Sequence, residues 1–133
     1  VIVVPILALV VGILLGALLT DLVPKELQPY LGLMVIAGLD SVFGGWRSSM
    51  EGKFTTDVFV TGFVSNIVIA LGLGFLGDRI GISLFLAAAV VMGMRIFNNL
   101  SSIRRIALTR IGDRAKRRKM EAEMQSQQQA TEA

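Results

Sequence analysis

Apolar residues run through this chain in four long blocks, separated by short polar connectors. The blocks cover residues 1–19, 30–46, 58–76 and 82–100. Each approaches the roughly 20 residues an α-helix needs to cross a bilayer. The pattern predicts an all-α polytopic membrane protein of about four transmembrane helices occupying 1–100. The polarity then reverses. Residues 101–124 are rich in Lys and Arg and read as a basic juxtamembrane helix, and 125–133 ("QSQQQATEA") read as a polar disordered tail.

The blocks differ in detail. The first has no charged leader and no small-residue cleavage site before Asp21, so it reads as a retained helix rather than a signal peptide. Pro5 falls in its first turn, where a missing N–H costs little. Ala8, Gly12, Gly16 and Thr20 recur every fourth residue and form a ridge of small side chains suited to close helix approach. The second block lies between the only Tyr and the only Trp, Tyr30 and Trp46. Amphipathic aromatics favour the two membrane interfaces, and its length of about 25 Å at 1.5 Å per residue is just enough to cross. A short or broken re-entrant segment ending at Gly44-Gly45 is the competing reading. In the third block Gly62, Asn66, Ala70 and Gly74 share a face, and Gly93 is a further small packing position in the fourth. The brief connector "GDRIGIS" makes the last two blocks an antiparallel hairpin.

Lys and Arg bias sets orientation. Connectors 20–29 and 77–83 carry one each, connector 44–57 carries two, and the segment after Leu100 carries eight. Both termini and connector 44–57 are therefore expected on the cytoplasmic side. Three polar residues then fall at similar depth: Asp40 about 15 Å from the outer interface, Asn66 about 15 Å, and Arg95 about 18–20 Å. An intramembrane charge costs about 2.5–3.5 kcal/mol on insertion scales, so pairing among Asp40, Asn66 and Arg95 is expected. A buried pair that fixes helix docking is the plainer reading; an ion or proton conduit is the sharper one.

Composition narrows the chemistry. The chain of 133 residues is 53% hydrophobic with mean hydropathy +0.69, and it has no Cys and no His. Disulfides, thiolate metal sites and the commonest general base are thereby removed. No catalytic, cofactor-binding or metal-ligating set is expected, and the reading is non-enzymatic. The formal charge is +3, and nine of the thirteen Lys and Arg lie from Arg95 onward. Leu100, Ile103, Ala107 and Ile111 form a stripe flanked by Arg104, Arg105 and Arg110, suited to anionic lipid headgroups. A protein partner is a second reading; nucleic acid is disfavoured, because no stacking aromatics interleave the basic run Arg114–Lys119. Arg47, Glu51, Lys53 and Asp57 balance charge in the inner connector, with Gly52 marking a turn. The connector is either a solvated link or a docking loop for another protein, centred on Arg47, Glu51 and Lys53.

The stretches "LDSVFGGWRSSMEGKF", "DVFVTGF" and "RIFNNLSSIRR", in this order and spacing, resemble the small basic protein family of Gram-positive bacteria. The resemblance covers about Val1 to Arg105 and excludes the tail beyond Leu108. It implies a bacterial plasma-membrane protein without assigned enzymatic activity, encoded near cell-division or cell-envelope genes. In actinobacterial relatives the neighbouring genes encode single-span membrane proteins with extracytoplasmic domains. The implied role is a subunit that scaffolds or anchors an envelope-associated complex, as a homo-oligomer or with single-span partners. Asp40, Gly44, Gly45, Arg47, Gly52, Phe97, Arg104 and Arg105 match the family pattern and are expected to serve packing or docking.

Overall fold

The computed structural model describes residues 3–18 and 20–132; among helical residues, the side chains of 3–5, 8, 20 and 132 are outside the description. The fold is all-α. Its elements are α1 (Val3–Leu18), a 3-10 turn (Thr20–Leu22), α2 (Gln28–Met50), α3 (Thr56–Ile80) and α4 (Leu84–Glu132).

Helices α2, α3 and α4 pack against one another, and α1 rests on α2. Each boundary has a local cause. Pro29 sits in the first turn of α2, where its fixed φ suits a helix start. The other end of α2 closes on Gly52 at φ +75°. There Gly52 N–H donates to the Ser49 carbonyl at 3.1 Å and Lys53 N–H to that of Ser48 at 2.9 Å. That is the paired capping pattern which satisfies orphan carbonyls at a helix end. Gly81, at φ +71°, ends α3 in the same left-handed conformation. The Ile82 N–H donates to the Gly77 carbonyl at 3.1 Å. A Cβ at Gly77 would stand 2.6 Å from the Ile82 carbonyl oxygen, so the α3–α4 hairpin needs glycine there.

The shared core is small: Leu33 and Ala37 of α2, Ala70 of α3, and Ala88 and Met92 of α4. Alanines at three of these five positions let the backbones approach closely. Most large apolar side chains face outward instead, among them Val58, Val64, Val68 and Phe75 of α3 and Leu86, Val90, Met94 and Phe97 of α4. Among the described residues, two helices are long and apolar enough to cross a membrane, α3 and α4, and only 11% of the apolar stretch of each is buried. The described part of α1 is shorter, at 16 residues. Helix α2 has ample length, 23 residues, but Asp40, Ser41 and the terminal Arg47-Ser48-Ser49 make it more polar.

Several expectations are revised. Helix α2 passes through Gly44-Gly45 unbroken, so the second block is neither broken nor ended there. Helix α4 is one element of 49 residues, about 74 Å long. The fourth apolar block, the basic helix and the tail expected to be disordered are therefore continuous. The physical reason is that Gly112 is the last Gly or Pro in the chain, and Ala, Glu, Gln, Met, Lys and Arg dominate beyond it, all strong helix formers. From Leu108 to Thr131 every residue is exposed, so α4 projects roughly 35 Å beyond the bundle.

The small-residue ridges are also corrected. Of the expected packing glycines, Gly74 is the one where an added Cβ would press on a neighbour, lying 3.0 Å from Leu33 and 3.2 Å from Tyr30. At Gly12, Gly16, Gly62 and Gly93 a Cβ would meet nothing within 4 Å; Gly12 and Gly16 border the groove among α1, α2 and α3, and Gly62 borders a crevice between α2 and α3. The side chains of Pro5, Ala8 and Thr20, also singled out, lie outside the described residues. The tightest side-chain approach is at Gly45, where a Cβ would come within 2.7 Å of the Phe59 ring.

Candidate functional site

Three registers converge halfway along the bundle. On α2 the inward stripe is Leu33, Ala37, Asp40 and Ser41, and on α3 Ala70 and Gly74 continue a face that begins at Asn66. On α4, Ala88 and Met92 lead by helical spacing to Arg95. The structure thus brings Asp40, Asn66 and Arg95 together. An Arg95 terminal nitrogen lies 3.0 Å from Asp40 Oδ2, and Asn66 Nδ2 donates to the same oxygen at 3.3 Å. The Asn66 amide also donates to Ser41 Oγ at 3.0 Å, and Ser41 Oγ donates to the Ala37 carbonyl at 3.0 Å. A hydrogen-bonded chain therefore ties α4 to α2 through the carboxylate and α3 to α2 through the amide.

The pair is asymmetric. The Asp40 side chain is 0% exposed, whereas that of Arg95 is 53% exposed. Among the described residues, Asp40 Oδ1 is the buried side-chain polar atom that accepts no hydrogen bond from the protein. Asp40 itself lines a crevice of about 170 Å³ between α2 and α3, whose walls also include Ser41, Ser48, Thr55, Asn66 and Arg95. The rings of Phe54, Phe59 and Phe63 follow one another at 5.6 and 6.1 Å beside it. A separate apolar groove of about 570 Å³ lies among α1, α2 and α3.

Two ties between helices clamp opposite ends of the bundle. At one, the Tyr30 hydroxyl donates to the Asp78 carboxylate. At the other, Arg110 donates to the Met50 carbonyl, a favourable place for a cation because it meets the negative end of α2. Arg110 therefore contacts the chain itself, while Arg104 and Arg105 remain exposed. In the connector, Arg47 pairs with Glu51 at 2.8 Å, one helical turn apart. That hydrogen bond from Arg47 holds the Glu51 carboxyl below its ordinary range, against partial desolvation and with smaller lowering from the charges of Arg47, Lys53 and Arg105. Lys53 follows the Gly52 turn and is exposed.

Residue spacing did not single out Ser41, the Tyr30–Asp78 bond or the Arg110–Met50 contact. Ser41 had a signal, a second polar residue beside Asp40 in an apolar run. The other two depend on how the helices rotate and cross. Among the described residues no cluster of three or more Asp or Glu side chains is placed to hold a metal ion.

The polar site lies within the region covered by a known family. Residues 23–108 match the model described as "Protein of unknown function (DUF1290)". The chain belongs to this family. It is 42% identical over 106 residues to the "Small basic protein" of Bacillus subtilis, covering 80% of this chain and 88% of that protein. Uncharacterized proteins of Mycobacterium bovis and Mycobacterium tuberculosis are each 45% identical over 100 residues, covering 74% of this chain and 83% of theirs. No solved structure matches. The stretches around Asp40, Asn66 and Arg95 all lie inside the matched region, whereas the projecting part of α4 beyond 108 lies outside it.

Proposed function

We propose that this small basic protein homologue is a non-enzymatic, four-span subunit of the bacterial plasma membrane. It scaffolds or anchors a complex associated with the cell envelope or cell division, as a homo-oligomer or with single-span membrane proteins. The observation that carries this reading is the outward display of apolar side chains on α3 and α4, with only 11% of each apolar stretch buried. A soluble bundle turns such faces inward, and lipid or partner helices are what cover them otherwise. The four-span topology draws on α1 and α2 as well. With Tyr30 and Asp78 at one end and Met50 and Arg110 at the other, connector 51–55 and the basic end of α4 fall on one side. The Lys and Arg bias makes that side, and both termini, cytoplasmic. Arg104 and Arg105 then face anionic headgroups and the projecting helix enters the cytoplasm. Asp40, Asn66 and Arg95 serve as the polar lock that fixes helix docking.

Gentle affinity purification from native membrane, followed by mass spectrometry and crosslinking, tests the proposal. Co-purification of a membrane partner or a second copy is expected. A monomer in mild detergent with no crosslinked neighbour in the membrane would sink it. The exposure of Arg95 beside the buried Asp40 favours a second reading, an ion or proton conduit through an oligomer. Proteoliposome flux that is lost in Asp40→Asn with assembly intact selects that alternative; loss of yield or assembly without measurable flux selects the lock.

A further inference from the structure

The α2–α3 crevice has a direction. Its α2 wall descends by helical spacing through Ser41, Gly44 and Ser48, and its α3 wall through Asn66 and Gly62 to Thr55. Both walls run from Asp40 to connector 51–55, where Thr55 is exposed. Beyond Asp40, toward Tyr30, the path is closed by Leu33, Ala37 and Ala70, each 0% exposed, and by the close seat of Leu33 on Gly74. The inner end is lined by Asp40, whose Oδ1 is the buried side-chain polar atom that no protein donor reaches among the described residues. A buried water requires a polar site, two to four partners and sufficient space. The crevice is lined by Asp40, by the Ser48 hydroxyl and by Ser41, whose oxygen keeps one lone pair after its bonds to Ala37 and Asn66, and it has room for about five waters at roughly 30 Å³ each in the liquid.

We propose that this crevice is a blind, water-filled vestibule that opens at connector 51–55 and ends on Asp40, so that solvent and small hydrogen-bond donors reach the carboxylate from one side of the membrane only. A one-sided vestibule brings water to the floor that covers Asp40 Oδ1, so that a small opening of that floor hydrates it, while Arg95 and Asn66 hold Oδ2. It also differs from a through-path, because the Leu33–Ala37–Ala70 layer seals the far side within one chain. The inference rests on the membrane reading of α2, α3 and α4, and the test separates the two.

The chain has no cysteine, so single cysteines report cleanly. The full-length protein in sealed native membrane vesicles is exposed, from either face, to a small charged membrane-impermeant methanethiosulfonate. Unreacted thiols are then counted by maleimide-polymer gel shift after denaturation. Ser48→Cys at the mouth, Gly62→Cys midway and Ser41→Cys at the floor probe the vestibule. A side chain at Gly62 meets nothing within 4 Å, so that variant remains informative if Ser41→Cys misfolds. Val64→Cys and Val68→Cys, exposed on the outer face of α3, are lipid-facing references, and Lys53→Cys marks the side on which the connector lies. The expected result is modification of Ser48→Cys, Gly62→Cys and Ser41→Cys at least tenfold faster than the valine references, from the same face that labels Lys53→Cys. Gly62→Cys and Ser41→Cys as unreactive as Val64→Cys, with Lys53→Cys reactive, overturns the vestibule and leaves the membrane reading intact. Labelling of Ser41→Cys from both faces overturns its blindness. Rapid labelling of Val64→Cys and Val68→Cys themselves overturns both readings.

Discussion

Removing the charge of Arg95 exposes the energetics of the site most directly. At 3.0 Å from Asp40, the attraction is about 5–6 kcal/mol at an effective dielectric of about 20. The desolvation of a fully buried carboxylate offsets several kcal/mol of this, and the half-exposed arginine keeps part of its own solvation. Arg95→Met keeps the length of the stem and its packing but strands Asp40 with Asn66 as its remaining donor. The expected loss is about 3 kcal/mol, the lower end of the range for breaking a buried pair. Asp40→Asn is milder, about 1–2 kcal/mol, because Arg95 is free to turn outward and the amide still bonds Asn66. The double variant is expected to fall short of the sum of the two losses by about 1–2 kcal/mol, the signature of direct coupling. Denaturant titration of the detergent-solubilised protein, followed by near-UV signal from Trp46, measures all four corners of the cycle. A coupling energy below about 0.5 kcal/mol, the additive limit for independent sites, would refute the idea that Asp40 and Arg95 stabilise each other.

The glycines divide into two groups with opposite expectations. Gly45→Ala pushes a methyl to 2.7 Å from the Phe59 ring and is expected to lose about 1–3 kcal/mol as the ring is displaced, whereas Gly62→Ala and Gly93→Ala, with open space, are expected to be neutral or to gain up to about 1 kcal/mol from helix propensity; thermal melts of the purified variants distinguish these outcomes. Because Arg47 lowers the Glu51 carboxyl below its unfolded value, the pair's contribution is fully present above the unfolded pKa and is lost as pH falls through the folded one. Melts from pH 7 down to 3 are therefore expected to lose their difference from Glu51→Gln in that acidic window and to show no change in it between pH 6 and 8.

The legibility of this protein follows from which quantities a sequence encodes. Helix rise is constant, so counting residues from Tyr30, Leu76 and Ile82 places Asp40, Asn66 and Arg95 at similar depth, and the structure holds their side-chain atoms within 3.0 to 3.3 Å. Azimuth is less accessible. Spacing by four identifies the small-residue faces of α1 and α3 but does not say how closely such a face meets a helix of the same chain: on α3, Asn66, Ala70 and Gly74 meet α2 or the shared core, whereas at Gly62 a Cβ would find open space. The need for glycine at 45 and 77 is invisible without the positions of Phe59 and Ile82. The apolar-to-basic change near Leu100 reads as a boundary because solvent changes there, yet backbone hydrogen bonding continues through it when no breaker intervenes. The Tyr30–Asp78 tie joins residues 48 apart in the chain and depends on helix crossing.

The unbroken α4 makes the protein a lever. Its N-terminal end follows the Gly81 hairpin, Arg95 grips Asp40 partway along, and roughly 35 Å of the same helix extends past the bundle with no Gly or Pro after Gly112. A rigid rod pivoting at the Arg95 clasp magnifies small rearrangements. A tilt of about 10° there carries the tip roughly 10 Å sideways over the arm of about 55 Å from Arg95 to Glu132, given about 1.5 Å of rise per residue. Whatever reseats the clasp is thereby mechanically geared to the far end of the rod.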